Sequence, residues 1–108
     1  EGAYVSAITP DPKVVADADW WREYQELEAR NPGTYSIAGY SAMTVLAEGV
    51  KRANSLEADA IERALRQGEL TTLVGKITYN ERGDMEDQRV YIFQVRDGEF
   101  VQWTGGAG

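Results

Sequence analysis

The hydrophobic rhythm of this chain changes once, at Leu70, and that change limits what the chain can fold into. Before Leu70 apolar residues recur at helical spacing; beyond it they alternate. Trp20, Tyr24 and Leu27 fall at i, i+4 and i+7, which predicts a helix from Pro12 or Asp17 to Arg30. Asn31-Pro32-Gly33 ends it. Trp21 lies about 100° round the helix from Trp20, so one of the two is expected in the core and the other at its edge. A second helix is expected from Tyr35 or Ser36 to Asn54, with Tyr40, Met43, Ala47 and Val50 on one stripe and Leu46 beside it. Its flank is small: Ala38, Gly39, Ser41 and Ala42. Ser55 is the predicted N-cap of a third helix, with Glu57 and Asp59 in the first turn, where the helix dipole favours anions. Its apolar side is Leu56, Ala60, Ile61, Ala64 and Leu65, and Gln67-Gly68 marks its end.

The strands bracket these helices. Gly2 to Thr9 reads as a short buried strand, stopped by Pro10-Asp11-Pro12 because neither proline can donate to a ladder. Val74 to Tyr79 is the next strand, and Glu81-Arg82-Gly83-Asp84 a turn. Arg89 to Arg96 alternates, with Tyr91, Phe93 and Val95 on one side. Asp97-Gly98 is a strong hairpin signal, since a type I′ turn needs positive φ at both central residues. Glu99 to Trp103 returns, and Thr104 to Gly108 reads as a flexible tail. The order is one strand, three helices, then three strands, an α/β class. One tension remains: the apolar faces of the first two helices are wider than one entering strand can cover.

The chain has 108 residues, room for one domain. Eighteen acidic residues against eleven basic give a formal charge of −7, a field that repels phosphate backbones and anionic membrane surfaces. Nucleic acid is therefore excluded as an expected partner. Cysteine and histidine are both absent, which removes disulfides, thiol chemistry and the commonest general base and metal ligand. No apolar run is long enough to span a bilayer. The opening Glu1-Gly2-Ala3-Tyr4-Val5 reads as the middle of a protein: a processed product, a fragment or a domain cut from a longer chain.

Two sharper motifs compete with plainer readings. Arg82-Gly83-Asp84 matches a tripeptide that adhesion proteins use as a receptor hook; it also reads as a turn in which Gly83 supplies the backbone angle and Asp84 bonds nearby backbone. The turn is preferred, because a tripeptide match has little specificity. Asp84, Glu86 and Asp87 do not follow the spacing of a calcium loop and read as a solvated acidic segment, so no metal is expected. No nucleophile elbow, phosphate cradle or placed acid pair is present, and the chain reads as a non-enzyme without a cofactor. Trp20, Trp21 and Trp103 read as packing residues.

The stretch "GKITYNERGDMEDQRVYIFQVRDGEFVQW" resembles the C-terminal signature of type I periplasmic solute-binding proteins of the branched-chain amino acid class. The residues that carry it are Gly75, Ile77, Tyr79, Gly83, Asp84, Tyr91, Phe93, Val95, Asp97, Gly98, Phe100 and Val101. "SIAGYSAMTVLAEGVKRAN" resembles that family's long amphipathic helix beginning near a Tyr, and "GAYVSAITPDP" resembles its strand leading into a hinge crossing. The resemblance runs over nearly the whole chain, although family members are several times longer.

It implies a fold and a function. The fold is the C-terminal part of a two-lobe periplasmic-binding-protein-like I fold. Residues 1–9 form a hinge-entering strand, residues 10–85 first-lobe helices and strand, and residues 86–108 a second-lobe hairpin and tail. Ile8, Thr9 and Pro10 lie at the hinge, Tyr40 is the ligand-binding candidate beside the cleft, and Gly83, Asp84, Asp97 and Gly98 are structural turns. Both assignments have a plain counterpart, an ordinary strand end and a core tyrosine packed with Met43. The implied protein binds an amino acid or similar small polar solute between two lobes and delivers it to an ABC permease. It lies in the periplasm or outside the cell, with lipid anchoring of the full-length protein left open. Its other expected partner is the remainder of the same protein or a second copy of the chain. The alternatives are a sensory ligand-binding domain of the same fold, or a non-enzymatic adhesive module using Arg82-Gly83-Asp84.

Overall fold

The computed structural model describes residues 1–105, so Gly106, Ala107 and Gly108 of the expected tail lie outside the described residues. The element order is β1 (Tyr4–Ala7), α1 (Pro12–Val15), α2 (Ala18–Glu28), α3 (Ser36–Ala53), α4 (Ala58–Leu65), β2 (Leu70–Thr72), β3 (Gly75–Ile77), β4 (Tyr91–Arg96) and β5 (Glu99–Gln102). This is the mixed α/β class the changing period implies. Two compact units are present: Glu1–Tyr35 together with the chain from Arg89 onward, and Ser36–Gln88. Residues 10–35 lie in the same unit as the terminal strands.

The first unit is built on an antiparallel sheet of order β1-β4-β5. Tyr4 pairs with Gln94 and Ala7 with Tyr91, joining residues about as far apart as the chain allows. Asp97 and Gly98 both have positive φ, 52° and 77°, and close the two-residue loop between Arg96 and Glu99. Phe93 is buried and its neighbours Tyr91 and Val95 are half-buried. The expected burial of β1 is not observed. It is an edge strand whose Tyr4 and Val5 stay exposed, because among the described residues β4 is the only strand beside it. Tyr4 instead meets Trp103 edge-on, at 6.1 Å between ring centroids.

The single helix expected from Pro12 or Asp17 to Arg30 is two helices. Asp11 and Asp17 each accept a hydrogen bond from a backbone N–H two or three residues on, from Lys13 at 2.9 Å and Trp20 at 2.8 Å, and each starts its own helix. α2 ends at Glu28 because Ala29 turns left-handed, with φ 53°. Trp20 and Tyr24 stack at 5.5 Å, but Leu27 is 85% exposed, so the predicted three-residue face is covered only in its first two turns. Trp20 and Trp21 are both half-buried, and neither is core.

The second unit corrects the face of α3. Its buried residues are Ile37, Ser41, Val45 and Gly49, a strict four-residue repeat, and not Tyr40, Met43 and Ala47. The small residues make this the packing face. A Cβ on Gly49 would stand 2.9 Å from Ile61 Cγ2 and from Leu65 Cγ and Cδ2, so α4 approaches where a side chain is missing. α4 buries no residue fully, yet Ala60, Ile61, Ala64 and Leu65 are all half-buried. Leu56, expected on that face, is 86% exposed because the helix begins two residues later. Ser55 is not the N-cap; its hydroxyl accepts from Glu57 N–H at 3.0 Å and turns the chain into the helix.

The strand expected over Val74–Tyr79 is one arm of a hairpin. β2 and β3 pair antiparallel, Leu70 with Ile77 and Thr72 with Gly75, and Leu73-Val74 forms the turn. Val45, Leu70 and Ile77 make the core of this unit, with Leu65, Val74 and Tyr79 packed against it. Arg52, in the last turn of α3, reaches the carbonyls of Gln67 at 3.0 Å and Glu69 at 2.8 Å and holds the connection from α4 to β2.

Replacing Gly49 by Val should lower stability by about 1–3 kcal/mol through overpacking, read as a lower urea midpoint. Gly98→Ala should cost about 1–2 kcal/mol, since a Cβ disfavours the left-handed region. An unchanged midpoint in either variant would contradict the corresponding contact or turn.

Candidate functional site

Tyr40 sits in the second turn of α3, 52% exposed, and its carbonyl accepts from Thr44 Oγ1 at 3.1 Å. The core role weighed for it is therefore not the one the fold assigns; the buried stripe runs beside it. Met43, one turn on, is 64% exposed. Tyr35, the residue before the helix in sequence, is exposed as well. Tyr40 belongs to the second unit, and Ile8, Thr9 and Pro10 to the first.

Ile8, Thr9 and Pro10 follow the end of β1, where the chain bends. Ile8 is exposed, whereas Thr9 and Pro10 are buried. Thr9 Oγ1 is buried without a hydrogen-bond partner among the described residues, as is Ser41 Oγ in α3. Such a group forfeits its hydration and gains nothing in return. The next residue is anchored: Asp11 N–H donates to Gln102 Oε1 at 2.7 Å, tying the chain after the bend to β5.

The Arg82-Gly83-Asp84 segment is organised by a residue the sequence reading passed over. Asn80 Oδ1 accepts from the N–H groups of Arg82 at 2.9 Å and Asp84 at 3.0 Å. Asn80 O also accepts from Gly83 N–H at 3.0 Å, closing a turn in which Gly83 has φ 86°. Arg66 at the end of α4 donates to the Glu81 carbonyl at 2.7 Å and holds the turn against the unit. An Asn two to four residues ahead of a Gly is a readable turn signal, because its short amide competes for nearby backbone. Among the described residues no group of three or more Asp or Glu side chains is arranged to hold a metal ion.

A groove of about 210 Å³ lies between α3 and β2, lined by Thr44, Glu48, Arg52, Glu69 and Thr71 among others. Its one guanidinium is committed: besides the two carbonyls, Arg52 Nε bonds Glu48 Oε1 at 2.9 Å. The groove therefore lacks a spare cation for a carboxylate ligand, and Tyr40 is not among its walls. A basic residue in the last turn of a helix was visible in the sequence as a dipole partner, but the carbonyls it reaches were not.

Comparison with known proteins places this arrangement. The sequence profile of a family described as periplasmic binding protein matches residues 1–99. The chain belongs to the periplasmic binding protein family. It is 35% identical over 97 residues to the Leu/Ile/Val-binding protein BraC3 of Rhizobium johnstonii, an alignment covering 86% of this chain and 24% of the relative. Its fold matches the leucine binding protein LivK of Thermotoga maritima with a TM-score of 0.75 at 23% identity, covering 96% of this chain and 30% of that one. It matches an ABC transporter substrate-binding protein of Desulfitobacterium hafniense, solved with Leu, with a TM-score of 0.74 at 24% identity, over 95% of this chain and 31% of that one.

The chain spans about a quarter of the length of the curated relatives it matches. The family is one of solute-binding proteins and not of enzymes, and membership implies an extracytoplasmic location. No helix among the described residues is long and apolar enough to cross a membrane.

Asn80→Ala should cost about 1–2 kcal/mol, because two backbone donors lose their acceptor, while Asp84→Ala should stay within about 0.5 kcal/mol. Urea melts of the two variants separate the roles; equal losses would return the organising role to Asp84.

Proposed function

We propose that this chain is the C-terminal part of an extracytoplasmic solute-binding protein of an ABC importer, taking leucine, isoleucine, valine or a similarly small amino acid between two lobes. The observation that carries this reading is the kinship with a Leu/Ile/Val-binding protein, which extends over most of the chain. In the proposed protein, residues 10–85 contribute to the first lobe and residues 86–108 to the second, and the chain enters from residues 1–9 through a hinge at Ile8, Thr9 and Pro10. The bend after β1 supports that place for the hinge, since closure concentrates its φ/ψ change at the ends of elements.

Tyr40 is the proposed wall of the ligand cleft. An exposed tyrosine gives a rigid apolar surface with one polar tip, which suits an aliphatic amino acid. Closure gains only what the solute's contacts supply in the closed state beyond the open one. The permease then meets a surface that exists only when both lobes hold the solute. Gly83-Asp84 and Asp97-Gly98 serve as turns in this reading and do not touch the solute.

Grafting this chain into the Rhizobium johnstonii relative in place of its matching stretch tests the proposal. The folded chimera should bind leucine saturably by isothermal titration calorimetry, and Tyr40→Ala in it should weaken binding about tenfold, roughly the worth of one aromatic contact. A folded chimera that gives no heat with leucine, isoleucine or valine would overturn the assignment.

A further inference from the structure

The turn at Arg82-Gly83-Asp84 is built without the side chains of Arg82 or Asp84. Asn80 supplies the acceptors: its Oδ1 takes the N–H groups of Arg82 and Asp84, and its carbonyl takes that of Gly83. Asn80 N–H donates in turn to the Asp84 carbonyl at 2.9 Å, and Glu86 N–H to the Thr78 carbonyl at 2.9 Å, which clasps the two arms of the loop. Tyr79 and Met85 pair between those bonds. The sequence reading explained Asp84 as the residue that bonds nearby backbone; the structure gives that role to Asn80. Arg82 and Asp84 are both exposed, and among the described residues neither the guanidinium nor the carboxylate has a hydrogen-bond or ion-pair partner. Arg22, Arg30, Arg52, Arg66 and Arg96, by contrast, each engage a carboxylate, an amide or a carbonyl. The fold accounts for Gly83, whose φ is 86°, and leaves the two charged side chains on either side of it without a structural role.

The loop therefore presents a guanidinium and a carboxylate two residues apart, on backbone that is already ordered. Groups held in place before binding lose less entropy when a partner arrives. The planar fork of Arg82 matches a carboxylate through two parallel hydrogen bonds. The carboxylate of Asp84 suits a guanidinium or a divalent cation. Its surroundings favour the higher charge. Between Glu81 and Asp87 four carboxylates stand against one guanidinium, a field that draws positive charge to the loop. Among the described residues no three acidic side chains are arranged to hold a metal ion, so the cation that meets Asp84 is one the partner holds.

We propose that Arg82-Gly83-Asp84 is a second recognition site, for a protein receptor on a cell surface. The receptor's bound divalent cation takes the Asp84 carboxylate at an open coordination position, and a carboxylate of the receptor takes Arg82. Gly83 separates the two without a side chain between them. A Cβ there would meet nothing within 4 Å, so the tip of the turn stands clear of the rest of its unit. Membership of the family places the chain outside the cytoplasm, on the side where such a receptor is met. The site shares no residue with the proposed solute cleft, and it stands whether or not the chain binds an amino acid.

Human fibroblasts plated in serum-free medium on a surface coated with the full 108-residue chain test the proposal. The expected result is attachment that requires Mg²⁺, is lost in EDTA, and is competed by a soluble Gly-Arg-Gly-Asp-Ser peptide but not by Gly-Arg-Gly-Glu-Ser. Arg82→Lys and Asp84→Glu keep each charge and leave the backbone of the turn intact. Each should raise the coating density for half-maximal attachment about tenfold or more, because the fork geometry or the reach of the carboxylate is lost while the charge stays. Both side chains are exposed and unpaired, so the urea midpoints of the two variants should not move. Attachment that persists in EDTA, or that either variant supports as well as the parent, assigns the binding to charge alone and overturns the proposal. So does a parent chain to which no cells attach. Leucine uptake by the Rhizobium johnstonii chimera depends on none of these outcomes, so the two readings fail separately.

Discussion

The second unit depends on the close approach of α3 and α4 at Gly49. Without a Cβ there, Ile61 and Leu65 can lie against the α3 backbone. That contact rotates α3 so that Ile37, Ser41 and Val45 are also buried. Val45 then meets Leu70 and Ile77, which fixes the β2–β3 hairpin. Arg52 completes the arrangement by satisfying two carbonyls in the connection that follows α4. The same rotation leaves Tyr40, Met43 and Leu46 exposed, so one missing methyl group decides which side of the helix faces outward.

The first unit is held by pairing between the two ends of the chain. β1 binds β4 across nearly its whole length, and Asp11 is tied to Gln102 over a separation of 91 residues. Contacts of that range carry a large loop-closure entropy and form late in folding. Tyr4 and Val5 of β1 stay exposed, as do Tyr40, Met43 and Leu46 of α3.

What the sequence made legible follows from local chemistry. The limits of α3 and the alternation from Tyr91 to Val95 match the structure because period and punctuation act within a few residues. The loop geometry at Asp97-Gly98 was readable for the same reason. The split between α1 and α2 was legible too, had Asp11 and Asp17 been weighed as two separate caps. The β2–β3 hairpin was harder. Its turn is Leu73-Val74, two apolar residues without a turn signature, and Thr72 Oγ1 bonds the Gly75 carbonyl at 2.8 Å only once the arms have met. For the candidate site, Tyr40 could be named from the sequence, but its exposure could not.

By itself the sequence determined the α/β class, the limits of α3, the turn at Asp97-Gly98, and the kinship that the family match establishes. Each of these depends on residue types at short spacing. Only the tertiary structure decided which of two apolar stripes on α3 is buried. Both have adequate hydrophobicity, and the choice falls to the one lined by Ser41 and Gly49 because close packing rewards small residues where two helices meet.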